Sequence, residues 1–371
     1  MALAAASTVL LLGACMKMET DSNRVAVSFS TYNARLHENV SRAGDTYVAP
    51  GQNFAAGAEI GVFGFYHDNT TWAAETSAGT NKPDFMYDQL VVKQNDGSWS
   101  YSPVKYWPNE YGAGASSTDV DKLSFWAYYP YNASGLSMYE AGSSTAYSNT
   151  STGIPKLSFV QAEDPDNQID LMFSGPVTDL YKTMAHTVNT ETWNYGVVTN
   201  GQVTLPFKHA LALVEFQLTE GTGAKINNLT LTNIKKSGTL ENPASIPFTW
   251  SNVGGSYTIH KEDVEISTNA ILTLLAMPQT LSADATFTLN YDITFASSDP
   301  THPEPIVYTG DSFSVKLFKN AGGLDDYGVT EWIAGKHYIY KVTAGLDRIE
   351  FEEVVESSED WTINTNISVP E

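Results

Sequence analysis

The chain has 371 residues, which is enough for two domains of ordinary size. Its 42 acidic and 20 basic residues give a formal charge of −22, which repels phosphate backbones, so we expect no nucleic acid as a partner. Tyr, Phe and Trp number 20, 16 and 8, and aromatic side chains pack well on pleated sheets. The composition therefore predicts a β-rich globular protein.

The first fifteen residues have the form of a bacterial export signal. Residues 2–14 are a largely apolar run, too short to span a bilayer but typical of a signal-peptide core. Leu12-Gly-Ala-Cys15 resembles the lipobox, in which the Cys becomes the lipidated first residue; the alternative is ordinary cleavage beside an incidental Cys. We expect residues 1–14 to be removed, Cys15 to carry acyl chains such as palmitate, and residues 15–24 to form a tether to the membrane.

Period-two alternation predicts a first strand at Val25 to Thr31, with Val25, Val27 and Phe29 on one face. The same pattern predicts further strands in this half of the chain at 59–66, 87–93, 123–130 and 169–173. We expect these strands to form an N-terminal β-sandwich domain over residues 25–204.

Two segments of this half depart from the strand pattern. Residues 132–153 are rich in Ser, Thr, Gly and Asn, so we expect an exposed loop that adds little to a core. Residues 177–187 are the one stretch that favours a helix.

The strand pattern restarts near residue 205, and we expect a second β-sandwich domain over residues 205–371. Its clearest strand is 285–295, where Phe287, Leu289 and Tyr291 alternate with polar residues, as in a half-buried antiparallel strand. Other strands are predicted at 203–218, 229–234, 271–276, 312–318, 337–343 and 349–355. Many short strands separated by turns favour an all-β sandwich fold.

The sequence carries no recognisable catalytic or cofactor motif. It has no nucleophile elbow, zinc-protease helix, P-loop or dinucleotide-binding glycine motif, and its seven His residues lack metal-ligand spacing. We therefore expect no enzymatic activity, no cofactor and no metal. The carboxylates between Glu163 and Asp170 have the density of a calcium loop, but they lack the loop Gly and terminal Glu of an EF-hand, which favours a solvated turn before the strand at 169–173.

Six segments taken together resemble the fimbrillin family, the exported pilins of type V fimbriae. The segments are Glu59 to Phe63, Tyr101 to Asn109, Leu123 to Pro130, Ile169 to Phe173, Leu205 to Leu211 and Ala334 to Tyr340. The resemblance covers the chain from about residue 25 to its C-terminus. It implies two tandem transthyretin-like β-sandwich domains, lipoprotein export to the cell outer membrane, and a structural or adhesive role in a cell-surface fimbrium.

The resemblance also implies maturation by an Arg-specific, trypsin-like protease that removes the first strand. We expect the cut after Arg42 or, as the second choice, after Arg35, since both follow the predicted strand and Ser41-Arg42-Ala43 is the closer match to the family's processing site. A cut after Arg24 would release only the tether. Loss of the strand opens a groove that a strand of another fimbrial subunit fills by β-strand addition.

The candidate for that incoming strand is the C-terminal segment. Residues 361–369 alternate, with the side chains of one face being Trp361, Ile363, Thr365, Ile367 and Val369. The alternative is an ordinary last strand that completes the second domain.

A different class of function also fits an acidic, β-rich, lipidated chain, namely a glycan-binding outer-membrane lipoprotein that recognises a host surface. Exposed Trp pairs in one loop or groove would favour it. The aromatic run from Phe125 to Tyr131 might stack on sugars, but its alternation favours core packing. An enzyme would require a cleft with convergent carboxylates or a metal.

Overall fold

The computed structural model describes residues 25–33, 54–108, 121–181, 198–199, 201–219, 224–264, 270–295, 304–318, 329–344, 349–351 and 355–356. Strands dominate these ranges, which confirms the predicted all-β class. Within them the other regular elements are one short helix, α1 at Trp72–Ala78, and a 3-10 turn at Pro165–Asn167.

The strands are short and numerous. The first ten are β1 Ser28–Asn33, β2 Glu59–His67, β3 Met86–Lys93, β4 Trp99–Ser100, β5 Lys122–Tyr129, β6 Leu136–Tyr139, β7 Lys156–Val160, β8 Met172–Leu180, β9 Val198–Thr199 and β10 Gln202–His209. The others are β11 Ala212–Thr219, β12 Ala224–Leu240, β13 Ser251–Val264, β14 Ala270–Ala276, β15 Gln279–Thr280, β16 Thr286–Phe295, β17 Ile306–Lys316, β18 Glu331–Trp332, β19 His337–Ala344, β20 Ile349–Phe351 and β21 Val355–Glu356.

The first sheet has the strand order β1-β10-β8-β5-β2-β3-β4, with β9 also paired to β10. β1 runs parallel to β10, so that Phe29 lies opposite Val203, whereas β5 is antiparallel to both of its neighbours. Beyond β4 the chain returns to the start of the sheet, because Tyr106 forms an antiparallel bridge with Ala26. The two ends of the strand order therefore meet, and the N-terminal segment closes the sheet.

Both faces of this sheet are buried at its central strand β5. On β5, Phe125 and Ala127 belong to a core that also contains Val27 and Phe29, while Trp126 and Tyr128 belong to a second core on the opposite face. Each of these four β5 residues is at most 2% exposed. The aromatic run of β5 is therefore packed on both sides, as the core-packing interpretation predicts.

Two further sheets pack face to face as a sandwich. One has the order β14-β11-β19-β20, with β21 on β19, and the other β17-β16-β12-β7-β6, with β13 on β12. Between them Phe216 of β11 stacks on Phe287 of β16 and on Tyr340 of β19, with ring centroids 4.3 Å and 4.9 Å apart. On β16 Phe287, Leu289 and Tyr291 are buried, which confirms the predicted half-buried strand.

The helix prediction for residues 177–187 was wrong at the residues that the structure describes, 177–181. Residues 177–180 continue strand β8, because Val177 and Leu180 are core side chains facing Phe125 and Leu123 of β5; residues 182–187 lie outside the described ranges. The observed helix α1 was not predicted. It begins where the Thr71 side chain accepts a hydrogen bond from the Ala74 amide, and it ends at Gly79, whose φ of 64° suits glycine.

The expectation for residues 132–153 was also wrong. This segment includes strand β6, and Tyr147 and Ala133 lie in the second core with 6% and 7% of their surface exposed. Tyr147 packs edge-on against Phe63 at 5.7 Å. The polar composition hid Tyr147, a buried aromatic side chain that anchors this segment on the first sheet.

The domain boundary predicted between residues 204 and 205 falls inside β10, which pairs with strands of the N-terminal half. Conversely, β6 and β7 of the N-terminal half join the sheet of β12. The division into domains at 25–204 and 205–371 stays a prediction.

Candidate functional site

The N-terminal segment, residues 25–33, is here called the closing strand. Val27 and Phe29 are each 1% exposed, Val25 is half-buried, and the intervening Ala26 is exposed. The inward side chains thus alternate along the segment, and they contribute to the core of a sheet whose other strands begin at residue 59 or later.

Backbone hydrogen bonds hold the first part of the closing strand on both sides. The Val27 amide donates to the Lys105 carbonyl at 2.9 Å, and the Trp107 amide donates to the Val25 carbonyl at 3.0 Å. On the opposite side the Ser28 amide donates to the Gly201 carbonyl at 3.2 Å, next to β10. The space between β10 and residues 105–107 that the closing strand occupies is here called the strand groove.

Phe29 is among the largest fully buried side chains of the described residues, and it lies in the strand groove. Its ring meets Phe125 edge-on at 5.4 Å and Tyr101 at 5.7 Å. The Tyr101 hydroxyl donates to the Val27 carbonyl at 2.7 Å, and burial raises the pKa of Tyr101 above its ordinary value of 10.0. Tyr101 therefore touches the closing strand through both its ring and its hydroxyl.

The mouth of the strand groove at Val25 is narrow. The Trp107 indole donates to the Gly201 carbonyl at 2.9 Å and so joins the two walls. Gly201 has φ +83°, and a Cβ placed on it would lie 2.4 Å from Val25 Cγ1. Glycine is needed here for its backbone conformation and for the close approach of Val25.

One polar side-chain contact marks the register of the closing strand. The Ser30 hydroxyl lies 2.9 Å from the Thr204 hydroxyl of β10, directly across the parallel pair. These two residues are 174 positions apart in the chain.

The remaining predicted site residues lie outside the described ranges. They are Cys15, Arg35, Arg42, Trp361, Ile363, Ile367 and Val369. Of the predicted site, only Val25, Val27 and Phe29 have a described environment, and the lipidation, processing and donor assignments stay predictions.

A buried Ser-His-acid arrangement was not predicted. His67 Nδ1 lies 2.8 Å from Glu75 Oε2, and His67 Nε2 lies 2.8 Å from the Ser124 hydroxyl. This Ser-His-Glu series of contacts resembles a hydrolase triad. However, Ser124 is fully buried, and its hydroxyl oxygen accepts a hydrogen bond from the Asp179 amide at 3.0 Å. Glu75 belongs to α1, so these bonds join α1 to strands β2 and β5 of the first sheet.

The carboxylates between residues 163 and 170 are divided among separate partners. Glu163 forms an ion pair with Lys236, Asp164 caps the 3-10 turn, and the buried Asp170 lies 2.9 Å from His209 Nδ1. Among the described residues, no three His, Cys, Asp or Glu side chains are grouped as metal ligands would be.

The described Trp side chains do not form an exposed pair. Residues 99, 107, 126, 250 and 332 are buried, and Trp72 is half-buried against Phe65 at 4.9 Å. Trp193 and Trp361 lie outside the described ranges. No helix in the described part of the chain has the length and hydropathy needed to cross a bilayer.

The fold and the strand groove define an all-β sandwich protein in which an N-terminal strand completes a core built from distant segments. The chain belongs to the fimbrillin-like family, which it matches over residues 42–361. This confirms the resemblance found in the sequence and implies a fimbrial protein of the cell surface. None of the curated proteins matches the chain.

The chain is similar to several solved structures at low sequence identity. A Bacteroides uniformis protein with a suggested role in cell adhesion is 17% identical, with a TM-score of 0.50 over 93% of this chain and 100% of that chain. A similar protein of Bacteroides ovatus is 14% identical, with a TM-score of 0.49 over 92% and 98%. The tip fimbrial protein Mfa3 of Porphyromonas gingivalis, truncated at its C-terminus, is 13% identical, with a TM-score of 0.39 over 91% and 100%.

Proposed function

We propose that the protein is a structural, non-enzymatic subunit of a fimbrium whose closing strand is a temporary occupant of the strand groove. Proteolysis removes this strand, and a strand of a neighbouring subunit takes its place. The observation that carries the proposal is the burial of Val27 and Phe29, at 1% exposure each, in a sheet that is otherwise formed by later segments.

Loss of the closing strand leaves a large energetic deficit. Burial of side chains such as Val27 and Phe29 contributes roughly 2 kcal/mol each, and each backbone hydrogen bond about 1 kcal/mol. The described bonds of residues 25–28 to both groove walls add to the parallel ladder with β10. The sum is comparable with the net stability of a whole domain, about 5–15 kcal/mol. The open groove therefore favours uptake of another strand by β-augmentation.

The processing site is assigned to Arg42, with Arg35 as the second choice. Both follow the last residue of β1, Asn33, so a cut at either position separates the closing strand from the body of the protein. The family match begins at residue 42, which supports Arg42 as the boundary of the mature subunit. Arg24 precedes the strand, and a cut there would leave the groove filled.

The lipid anchor is assigned to Cys15, which follows the lipobox-like Leu12 to Ala14. Several acyl chains hold a protein firmly in a membrane, whereas one holds it only marginally. The precursor would then reach the cell surface attached to the outer membrane, and cleavage after Arg42 would release the subunit from its anchor and open its groove in one step.

A reversible lock tests the proposed exchange. Ser30→Cys and Thr204→Cys place two thiols where the hydroxyls lie 2.9 Å apart, in a Cys15→Ala background that removes the single natural thiol. After Arg-specific cleavage, the oxidised double variant should keep its closing strand and stay monomeric, and a reductant should restore assembly. The two single variants should assemble under both conditions. Assembly of the oxidised variant at the unmodified rate would refute strand exchange.

The incoming strand is assigned to residues 361–369, on the alternation of Trp361, Ile363, Ile367 and Val369. Deleting residues 363–371 tests this assignment. A truncated monomer that keeps its thermal stability but does not polymerise supports a donor strand. A large fall in melting temperature would instead make these residues an ordinary strand of the fold.

A further inference from the structure

The outer wall of the strand groove, residues 105–107, is bound to the closing strand by backbone hydrogen bonds. The Val27 amide donates to the Lys105 carbonyl at 2.9 Å. The Trp107 amide donates to the Val25 carbonyl at 3.0 Å. Removal of the closing strand breaks both bonds, so the outer wall must then be held by contacts that do not involve that strand.

The inner wall of the strand groove, β10, keeps its other ladder partners when the closing strand leaves. It pairs antiparallel with β8 over residues 207–209 and with β9 at Gln202 and Val203. Gly201 lies between β9 and β10, at the end of the groove where Val25 lies. The inner wall therefore gives the outer wall a fixed point of attachment.

A side-chain hydrogen bond joins the two walls directly. Trp107 Nε1 donates to the Gly201 carbonyl at 2.9 Å, and the Trp107 side chain is buried. The Trp107 ring also meets the ring of Phe125 on β5 edge-on, with ring centroids 6.5 Å apart. All three residues stay with the subunit after cleavage, so these contacts can persist without the closing strand.

Other contacts that hold this region lie closer to the protein surface. The Gln89 side-chain amide donates to the Ser102 carbonyl at 3.3 Å in an exposed position. The Lys105 ammonium lies 5.9 Å from the centre of the Phe85 ring, a contact that contributes little where water has access. A buried hydrogen bond is electrostatically stronger than one at the surface, so we expect the Trp107 bond to contribute most to holding the wall.

We infer that Trp107 is a positioning residue for strand exchange, whose indole bond to Gly201 keeps the empty strand groove at the width of one strand. The inference rests on the proposed function and adds the residue that prepares the groove for its next occupant. A wall that is already in place loses less conformational freedom when a strand enters. Because the bond is present in the filled and the empty groove, it acts on the rate of strand entry rather than on the rate of strand release.

Hydrogen exchange of protein labelled with ¹⁵N-tryptophan tests the inference. The chain has eight Trp residues, and Trp107→Phe identifies the two signals of Trp107, its backbone amide and its indole N–H. After Arg-specific cleavage and release of the closing strand, the amide should lose its protection, because its acceptor, the Val25 carbonyl, has gone. The indole N–H should stay protected.

The two Trp107 signals separate failure of the inference from failure of the proposed function. Loss of protection at both the amide and the indole would show that the walls separate, which would refute the inference and leave the proposed function intact. Protection of both after cleavage would show that the closing strand stays bound, which would refute the proposed function and the inference together.

Uptake of a synthetic peptide with the sequence of residues 25–33 gives a second readout. Cleaved Trp107→Phe should bind this peptide about fivefold more slowly than cleaved unmodified protein, as the loss of one hydrogen bond implies, and should release it at the same rate. Trp99→Phe is the matched control, because Trp99 is buried in the same core and its indole has no hydrogen-bond partner among the described residues. It should leave both rates unchanged. Faster release from Trp107→Phe with unchanged uptake would mean that the bond stabilises only the filled groove, which would overturn the inference.

Discussion

Phe29 is a fully buried side chain of the closing strand, and its ring contacts both Phe125 and Tyr101. In the uncleaved protein, Phe29→Ala should lower the free energy of unfolding by about 3–5 kcal/mol, as truncation of a buried Phe does. Ala26→Ser, at the exposed neighbouring position, should change it by less than about 0.5 kcal/mol. Denaturant unfolding of both variants measures the difference.

Cleavage supplies the control for this prediction. Once a cut after Arg42 has released the closing strand, Phe29 is no longer part of the subunit. Cleaved Phe29→Ala and cleaved unmodified protein should then unfold at the same denaturant concentration. A difference that persists after cleavage would mean that the closing strand stays bound.

Asp88 is a half-buried carboxyl in an unusual backbone conformation. Burial raises its pKa above the ordinary value of 3.8, and the hydrogen bond that it accepts from the Tyr128 hydroxyl at 2.8 Å partly opposes this rise. Burial also raises the pKa of Tyr128 well above its usual range, and the neighbouring Asp88 charge adds to the effect. The φ of Asp88 is +44°, a region that Asn tolerates as well as Asp does.

The sign of the resulting pH dependence follows from linkage. A carboxyl with a raised pKa in the folded state binds more protons there than in the unfolded chain, so its contribution to stability falls as the pH rises through the range just above 3.8. Asp88→Asn keeps an oxygen that accepts from Tyr128 but cannot ionise. Relative to this variant, the unmodified protein should lose stability across that pH range. A difference in the free energy of unfolding between the two proteins that stays constant across this pH range would contradict the prediction.

At the scale of elements, the segment 132–153 is fixed to the first sheet through Tyr147. The Tyr147 hydroxyl donates to the Gly153 carbonyl. The backbone carbonyl of Tyr147 accepts a hydrogen bond from the Tyr87 hydroxyl at 2.8 Å. Tyr147→Ala should lower the free energy of unfolding by about 3–5 kcal/mol, whereas Tyr147→Phe removes one hydrogen bond and should lower it by about 1 kcal/mol. Equal, small effects of both substitutions would indicate a loop without a structural role.

At the scale of the whole molecule, the charge of −22 opposes the approach of two copies. Salt shortens the reach of this repulsion, to about 10 Å at 0.1 M ionic strength. The rate at which cleaved subunits assemble should therefore increase as salt is raised from low to physiological concentration. Light scattering after addition of the protease measures the rate, and pre-cleaved protein separates assembly from any effect of salt on cleavage. A rate that falls with salt would mean that charge attraction between complementary patches dominates.

The sequence by itself determined the strand class and the direction of many side chains. Alternation placed Phe287, Leu289 and Tyr291 in a core because side chains of a strand point to opposite faces in turn. It likewise indicated the shared face of Val25, Val27 and Phe29 before any partner was known. The family was recognisable because several short segments occur together in a fixed order.

Only the tertiary structure decided what those strands pair with. The closing strand lies between β10 and residues 105–107, and the contact between Ser30 and Thr204 joins positions 174 residues apart. Tyr147 was missed because one buried aromatic in a polar segment has no local period. Val177 was misassigned because Val177, Leu180 and Met184 are spaced as on one face of a helix. Local patterns set which face of an element is apolar, but which elements share a core depends on packing across the whole chain.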